Sequence, residues 1–345
     1  MDTFADGPSQ QPGGTAGEPG RRRRWPFVVG GLMALGLIGL AIVAVVVILA
    51  AGGPRVPPVY TEEYVAGDGA SRIAVVPVEG TIAPADNTLG GVQPTVTPEG
   101  LADALRQAGQ DTSVVAVVLE VNSPGGGVTA SDEMHQSILD FRENTGKPVV
   151  VSMGDTAASG GYYISTAADR IVANETTLTG SLGVIFQLNN FAEAADRYGI
   201  GQVVIKSGKY KDMGNAFREM RPDEREIFQS IVNESYSEFV DVISEGREIP
   251  EDRVREIADG RVYSGTQARD LGLVDSFGDL DEATATAGRL AGARDTTVVR
   301  YVQEPTLTES LLARLAPQEP QAQQIMDAAG LDLEPKPYYL YLPGA

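Results

Sequence analysis

Between residues 72 and 304, short β-branched runs alternate with stretches of helical periodicity. This alternation is typical of an α/β domain. Strands are predicted over residues 73–78, 114–121, 148–152, 170–173, 202–205 and 297–302. Helices are predicted over residues 98–108, 129–143, 159–168, 190–198, 222–246, 250–258, 264–271 and 280–291.

The first 71 residues have a different pattern. Residues 1–24 are rich in Gly, Pro, Ser and Gln and end in four arginines, which predicts a disordered cytoplasmic tail. The uncharged run 27–51 has 25 residues, and about 20 apolar residues span a bilayer. Residues 25–52 are therefore predicted to form a single transmembrane anchor, with Trp25 at the interface and the bulk of the chain outside the cytoplasm. Residues 53–71 are predicted as a linker, and residues 305–345 as a Pro/Gln-rich C-terminal extension.

The amino-acid composition limits the partners and the catalytic side chains that the chain can use. The net charge of −20 disfavours a nucleic-acid partner. The absence of cysteine excludes disulfides and thiol catalysis, and a single histidine, His135, makes a zinc site of the usual kind improbable. Only five residues are lysines, yet three of them cluster at Lys206, Lys209 and Lys211. Lysine differs from arginine in that it can lose its proton in a dry site and act as a base.

A triple glycine, Gly125 to Gly127, follows the strand predicted at 114–121 and opens onto a helix. Consecutive glycines expose backbone N–H groups beside a helix N-terminus. A phosphate-binding loop would place lysine or serine next, whereas Val128 stands there, so an oxyanion hole is favoured. A tight strand-to-helix turn explains the glycines equally well.

Two serines lie in similar small-residue segments. Ser159 stands in A-S-G-G-Y-Y after the strand predicted at 148–152, and Ser181 stands in T-G-S-L-G-V. Small neighbours let a substrate backbone approach a nucleophilic hydroxyl, although a serine at such a position is more often a helix N-cap. Ser181 is suited to capping, to a turn, or to orienting a partner.

The lysine cluster is a candidate source of a base for one of these serines. A solvated loop is the ordinary explanation for surface lysines. For a lysine to act as a base it must be neutral, and lowering its pKa from about 10.4 to about 7 costs roughly 4.6 kcal/mol of desolvation. Only a buried, substrate-covered site could supply that free energy.

Four motifs in this order, S-P-G-G-G, A-S-G-G-Y-Y, T-G-S-L-G-V and K-S-G-K-Y-K-D, resemble those of the signal peptide peptidase A family, peptidase family S49 of the ClpP/crotonase superfamily. The resemblance covers residues 73 to about 290. It implies a ClpP/crotonase-like α/β fold of repeated ββα units, preceded by the transmembrane helix. The domain would span residues 72–304.

Carried over motif by motif, the resemblance makes Ser159 the nucleophile and Lys211, 52 residues later, the general base. Ser181 would orient the lysine amine, and the backbone N–H groups of Gly126 and Gly160 would form the oxyanion hole. Serine–lysine catalysis needs neither histidine nor cysteine.

The remaining candidates receive structural roles. Lys206 and Lys209 have no catalytic counterpart in the family and are interpreted as loop residues, and His135 as a structural residue. No cofactor or metal is implied.

The resemblance also implies peptide substrates, chiefly remnant signal peptides, at the cell membrane. The family's short form, which this chain matches in length, assembles as a homo-octamer in which neighbouring subunits share serine and lysine. Three alternatives are a catalytically silent membrane scaffold, an acyl-CoA enzyme of the crotonase type, and a stomatin-associated membrane serine peptidase. The intact serine and lysine positions argue against the first, and an acidic domain facing outward is a poor place for polyanionic CoA. The apolar C-terminal segment, which ends in Gly344-Ala345, resembles a substrate. We expect it either to be a sheet-edge strand or frayed end, or to occupy a substrate groove as an added strand.

Overall fold

The computed structural model describes residues 60–84, 95–303 and, as backbone only, 337–340. Within these residues the chain forms fourteen strands, numbered in chain order: β1 Thr61–Ala66, β2 Ser71–Glu79, β3 Thr81–Ile82, β4 Thr95–Val96, β5 Val114–Ser123, β6 Gly125–Gly127, β7 Val149–Ala158, β8 Arg170–Ala173, β9 Leu178–Gly180, β10 Ile185–Phe186, β11 Val262–Ser264, β12 Ser276–Phe277, β13 Thr296–Val302 and β14 Pro337–Leu340.

The described helices agree with the predicted ones within a few residues at each end. They are α1 Pro98–Gln110, α2 Val128–Thr145, α3 Gly160–Ser165, α4 Ala192–Tyr198, α5 Pro222–Arg247, α6 Glu251–Ile257, α7 Gly265–Asp270 and α8 Leu280–Leu290. Some of their ends follow ordinary capping rules. For example, the Thr97 hydroxyl accepts a hydrogen bond from the N–H of Gly100 at the start of α1, and Gly146 ends α2 in the left-handed conformation.

A mixed α/β architecture with a mainly parallel central sheet is confirmed. Its strand order is β1-β13-β2-β5-β7-β8-β12, and β9 and β11 extend it beyond the end of β7. All neighbours are parallel from β13 to β12, and β1 is antiparallel at one edge.

Both faces of this sheet are covered, so its central strands are apolar at successive positions. In β2, Ile73 and Val75 face the layer that contains α8, whereas Ala74 and Val76 face the layer that contains α1, α2 and α3. All four side chains are buried. The core therefore holds the ends of β5 and β7 rigidly, which is where the glycine and serine segments follow.

A second, smaller sheet lies beside these strand ends. Its order is β10-β14-β6-β3-β4, and it contains the glycine strand β6. The strand β14 comes from the C-terminal extension and pairs antiparallel with β6 on one side and with β10 on the other.

Two expectations are corrected. The strand predicted at 202–205 is wrong, because these residues have no regular structure and find no partner strand among the described residues; Val203 is 90% exposed and Ile205 is 97% exposed. The sheet also begins earlier than residue 72, since β1 lies within the predicted linker and pairs with β13. Nearly every side chain of β1 is exposed, so its sequence lacks the apolar alternation that reveals a half-buried strand.

The predicted anchor at 25–52 lies outside the described residues. Among the residues that are described, no helix combines the length and the apolar character that crossing a bilayer requires.

Candidate active site

Ser159 lies at the sharp turn between β7 and α3, with φ of 53° and ψ of −115°. A non-glycine residue held in such a sparsely populated region costs on the order of 1–3 kcal/mol, and such residues cluster at functional sites. The side chain is 1% exposed, and its Oγ has no hydrogen-bond partner among the described residues. Ser159 occupies the N-cap position of α3, as expected for such a serine, but its side chain makes no capping hydrogen bond.

The backbone around Ser159 is held firmly from both sides. Its N–H donates to the carbonyl of Gly180 at 2.8 Å, and its carbonyl accepts from the N–H of Tyr163 at 2.8 Å. The first bond joins β7 to β9, and the second is the first turn of α3. The strained conformation is therefore imposed by a strand on one side and by a helix on the other.

The glycine strand β6 lies directly against this turn. A Cβ on Gly160 would lie 3.1 Å from the backbone nitrogen of Gly126 and 2.5 Å from the Oγ of Ser131. A Cβ on Gly126 would overlap the carbonyl oxygen of Ile82, with which β6 pairs through β3. Glycine is thus required at both positions by close backbone approach. The structure places the two proposed oxyanion donors side by side, next to Ser159.

Ser181 follows β9 and also has a positive φ, of 49°. Its N–H donates to the carbonyl of Arg261 at 2.8 Å. Because Gly180, the preceding residue, bonds to the Ser159 backbone, the two serines lie on adjacent strands at the same end of the sheet.

Lys211 is not brought to Ser159 within the single chain. It lies in the segment between α4 and α5, which has no helix or strand, and it is exposed. Its backbone N–H donates to the carbonyl of Gly208 at 3.3 Å. Within the described residues, the Lys211 amine makes no hydrogen bond or ion pair. The proposed base and nucleophile are therefore both without a side-chain partner in this part of the chain.

The strand β14 crosses the site as an extended peptide. Tyr339 is in register with Gly126, and Leu340 with Gly125. On its other side Tyr338 is in register with Ile185, four residues after Ser181. The backbone of the chain's own C-terminal segment therefore occupies the space between the glycine strand and the segment that follows Ser181.

His135, on α2, is buried and stacks edge-on against Tyr163, with ring centroids 5.2 Å apart. Burial lowers the pKa of its imidazole to about 4, partly offset by Asp132. The histidine is thus neutral at physiological pH and contacts an aromatic core residue, in agreement with the structural role predicted for it.

Two sets of residues escaped the sequence interpretation, one beside Ser159 and the other around Lys211. Ser131 on α2 is fully buried beside Gly160, and its Oγ has no partner among the described residues. A second set surrounds the lysine segment: Asp212, Arg218, Arg221 and Glu224 form ion pairs with one another. The only signal for this set in the sequence is a high density of charges between residues 206 and 226, which alone does not distinguish a paired cluster from a solvated loop.

A strained, buried serine beside two glycine amides, at the end of a parallel sheet, is typical of serine hydrolases. Comparison with known sequences gives the family. Residues 142–294 match peptidase family S49. The Synechocystis sp. protein slr0021, which is named as a protease, is 35% identical over 75% of this chain and 88% of its own length. This chain belongs to peptidase family S49 and is a serine peptidase.

Two further relatives are similar over about 70% of this chain, and the second is much longer than it. An Enterococcus faecium protein named as a signal peptide peptidase, SppA, is 34% identical over 69% of this chain and 70% of its own. Protease 4 of Salmonella typhi is 36% identical over 71% of this chain but only 39% of its own.

Proposed function

We propose that this chain is a membrane-anchored endopeptidase with a Ser159–Lys211 dyad on a ClpP/crotonase-like fold. The observation that carries the proposal is the strained Ser159 hydroxyl, which is buried, unpartnered among the described residues and adjacent to the amides of Gly126 and Gly160. The chain's only histidine is committed to the core beside Tyr163, so it is not the base for this serine. A lysine is the remaining side chain suited to that task.

The mechanism is peptide hydrolysis through an acyl-enzyme. Ser159 attacks the scissile carbonyl while Lys211 takes its proton, and the Gly126 and Gly160 amides stabilise the oxyanion. Lys211 returns the proton to the leaving amine, a water molecule then releases the acyl group, and Ser181 orients the lysine amine throughout.

The site is completed by a second copy of the chain in this proposal. In the single chain Lys211 is exposed, and the β-branched residues just before it are exposed as well, Val203 at 90% and Ile205 at 97%. Monomeric proteins rarely expose a contiguous apolar patch of this kind, which marks an interaction surface. Assembly into a homo-octamer would bury this segment, desolvate the amine and deliver it to the neighbouring Ser159.

Substrates are proposed to be remnant signal peptides and other short apolar peptides. The position of β14 supports this, since an extended peptide backbone fits between β6 and β10 by strand addition. The predicted anchor would hold the site at the membrane surface, with the N-terminus in the cytoplasm and the peptidase domain outside it. A role as a stomatin-associated peptidase remains the alternative within the same chemistry, and the substrate distinguishes the two.

The direct test is hydrolysis of a short apolar peptide by the full-length chain and by its Ser159→Ala and Lys211→Ala variants. We expect kcat to fall about 10⁴-fold or more in each, because removing either member of a catalytic pair removes nearly the whole chemical rate. Labelling of Ser159 by a serine-reactive acylating inhibitor should disappear in the first variant. Retention of wild-type kcat by Lys211→Ala, in a correctly assembled protein, contradicts the dyad.

The C-terminal segment is proposed to compete with substrate, because β14 lies where a substrate strand would bind. Deleting residues 336–345 should lower KM for a short peptide several-fold with kcat unchanged. A shorter deletion, of residues 341–345, retains β14 and serves as the control, for which KM should stay near that of the wild type. Identical KM values for the two truncated proteins would show that β14 does not compete with substrate.

A further inference from the structure

The lysine segment is fixed by side chains that the proposed mechanism does not use. Four of them form a cluster, called here the clamp: Asp212, Arg218, Arg221 and Glu224. Arg218 bridges its two carboxylates, with Nε 3.1 Å from Asp212 Oδ2 and Nη2 2.5 Å from Glu224 Oε1. Arg221 Nη2 lies 2.5 Å from the same Glu224 oxygen.

The clamp is built into the start of α5. The Glu224 side chain is 0% exposed, and a buried carboxylate is tolerated only when it is paired and hydrogen-bonded. Its Oε2 also accepts a hydrogen bond from the backbone N–H of Arg221 at 3.0 Å, which caps the helix. The far end of α5 is anchored in the core by Phe239, Val240 and Ile243. The clamp is therefore attached to a rigid element.

The same side chains hold the backbone on both sides of Lys211. Before it, the carbonyl of Lys209 accepts hydrogen bonds from Arg221 Nη2 at 2.9 Å and from Lys206 Nζ at 3.2 Å. After it, the carbonyl of Asp212 accepts from Arg218 Nη2 at 2.7 Å. Lys206 additionally pairs with the Asp212 carboxylate at 2.5 Å. The segment that carries Lys211 is thus fixed, while its own amine stays without a partner among the described residues.

The electrostatics agree with this geometry. Hydrogen bonds from Lys206 and then Arg218 lower the pKa of Asp212, and hydrogen bonding from Arg218 outweighs burial and lowers the pKa of Glu224. Both carboxylates therefore stay ionised at neutral pH. The nearby Lys209 pairs with Asp223, which also lies within ion-pair distance of Arg221 at the edge of the clamp. Of the clustered lysines, Lys206 thus supports the backbone and Lys209 pairs at the periphery.

We propose that the clamp, together with Lys206, is a positioning device that presents Lys211 to the reactive serine of a neighbouring copy. The inference rests on the proposed role of Lys211 as base. A flexible lysine in a segment without helix or strand would rarely adopt the reactive geometry, and misplacement of a catalytic group by about 1 Å can cost about 100-fold in rate. The clamp replaces the missing secondary structure by fixed charge-assisted hydrogen bonds.

The test is Arg218→Gln, which removes the bridge, measured on the full-length chain. We expect kcat for a short apolar peptide to fall about 10- to 100-fold with KM changed less than about 2-fold. The matched control is Arg225→Gln, an exposed arginine on the same helix outside the clamp, which should retain kcat. Arg218→Lys keeps the positive charge but lacks the forked guanidinium group, so it should recover only part of the lost kcat.

Measurements in the Lys211→Ala background distinguish a positioning role of the clamp from a merely structural one. There, the slow acylation of Ser159 by an activated ester should be unaffected by Arg218→Gln, because the clamp acts through the missing amine. An equal further loss in that background, or wild-type kcat in Arg218→Gln, overturns the inference. If Arg218→Gln does not assemble, Asp212→Asn removes one charge without changing volume and takes its place, with the same expected results. An active Lys211→Ala protein would instead refute the proposed dyad itself.

Discussion

Mixing inactive Ser159→Ala and Lys211→Ala proteins is expected to restore peptide hydrolysis. If each site takes its serine from one protomer and its lysine from the next, equal and random mixing gives intact pairs in about one quarter of the sites. The physical reason is that each protomer would supply one half of the proposed dyad, since the single chain leaves both the Ser159 hydroxyl and the Lys211 amine without side-chain partners among its described residues. The measurement is kcat per total protomer after dissociation and reassembly.

A double variant carrying both substitutions is the control for this experiment. Mixed with wild-type protein, it contributes neither half, whereas either single variant contributes one. If the mixture of single variants stays inactive while its assembly matches that of the wild type, the serine and lysine of one site come from the same chain.

The second large loss of activity is expected for a substitution in the glycine strand β6. Gly126→Ala is expected to lower kcat about 10²- to 10³-fold, the usual loss on removing an oxyanion donor. Its Cβ would overlap the Ile82 carbonyl, so β6 must move away from β3 and carry the Gly126 N–H out of place. The measurement is kcat together with the thermal unfolding midpoint, which separates loss of the oxyanion hole from loss of the fold.

The next residue provides the matched control. Gly127 has φ of −63°, and among the described residues a Cβ there would meet only Ala130 at 3.8 Å and Ile82 at 4.0 Å. Gly127→Ala should therefore retain kcat within a few-fold. A similar loss in both variants would show that β6 tolerates no side chain anywhere, and that the Gly126 amide has no special role.

Most of the central sheet could be predicted from the sequence, because its strands are buried on both faces and stand out as β-branched runs. The two wrong strand predictions have a common cause, because the pattern of apolar residues in a segment does not show whether another strand pairs with it. The run at 202–205 has the composition of a strand, but no strand pairs with it within the described residues. The strand β1 has the opposite character, since it pairs with β13 while nearly all its side chains are exposed.

The sequence predicts some residues of the candidate site better than others. The close backbone approach at Gly126 and Gly160 is the kind of feature that a run of glycines predicts, whereas the role proposed for Ser159 depends on the resemblance to a known family. The clamp was missed because ion pairing depends on how the loop folds back onto α5, and charge density alone does not reveal it. The path of β14 could be stated only as one of several expectations, since strand addition depends on a groove that the rest of the chain creates.

The conformation of Ser159 has a consequence for how the protein evolves. Glycine adopts a positive φ without the cost that serine bears there, so the proposed nucleophile occupies a position where glycine would suit the backbone better. Selection for stability alone and selection for turnover would favour different residues at this turn. The strained turn at the proposed catalytic serine therefore lowers the stability of the folded state, and the tightly buried central sheet has to compensate for that free energy.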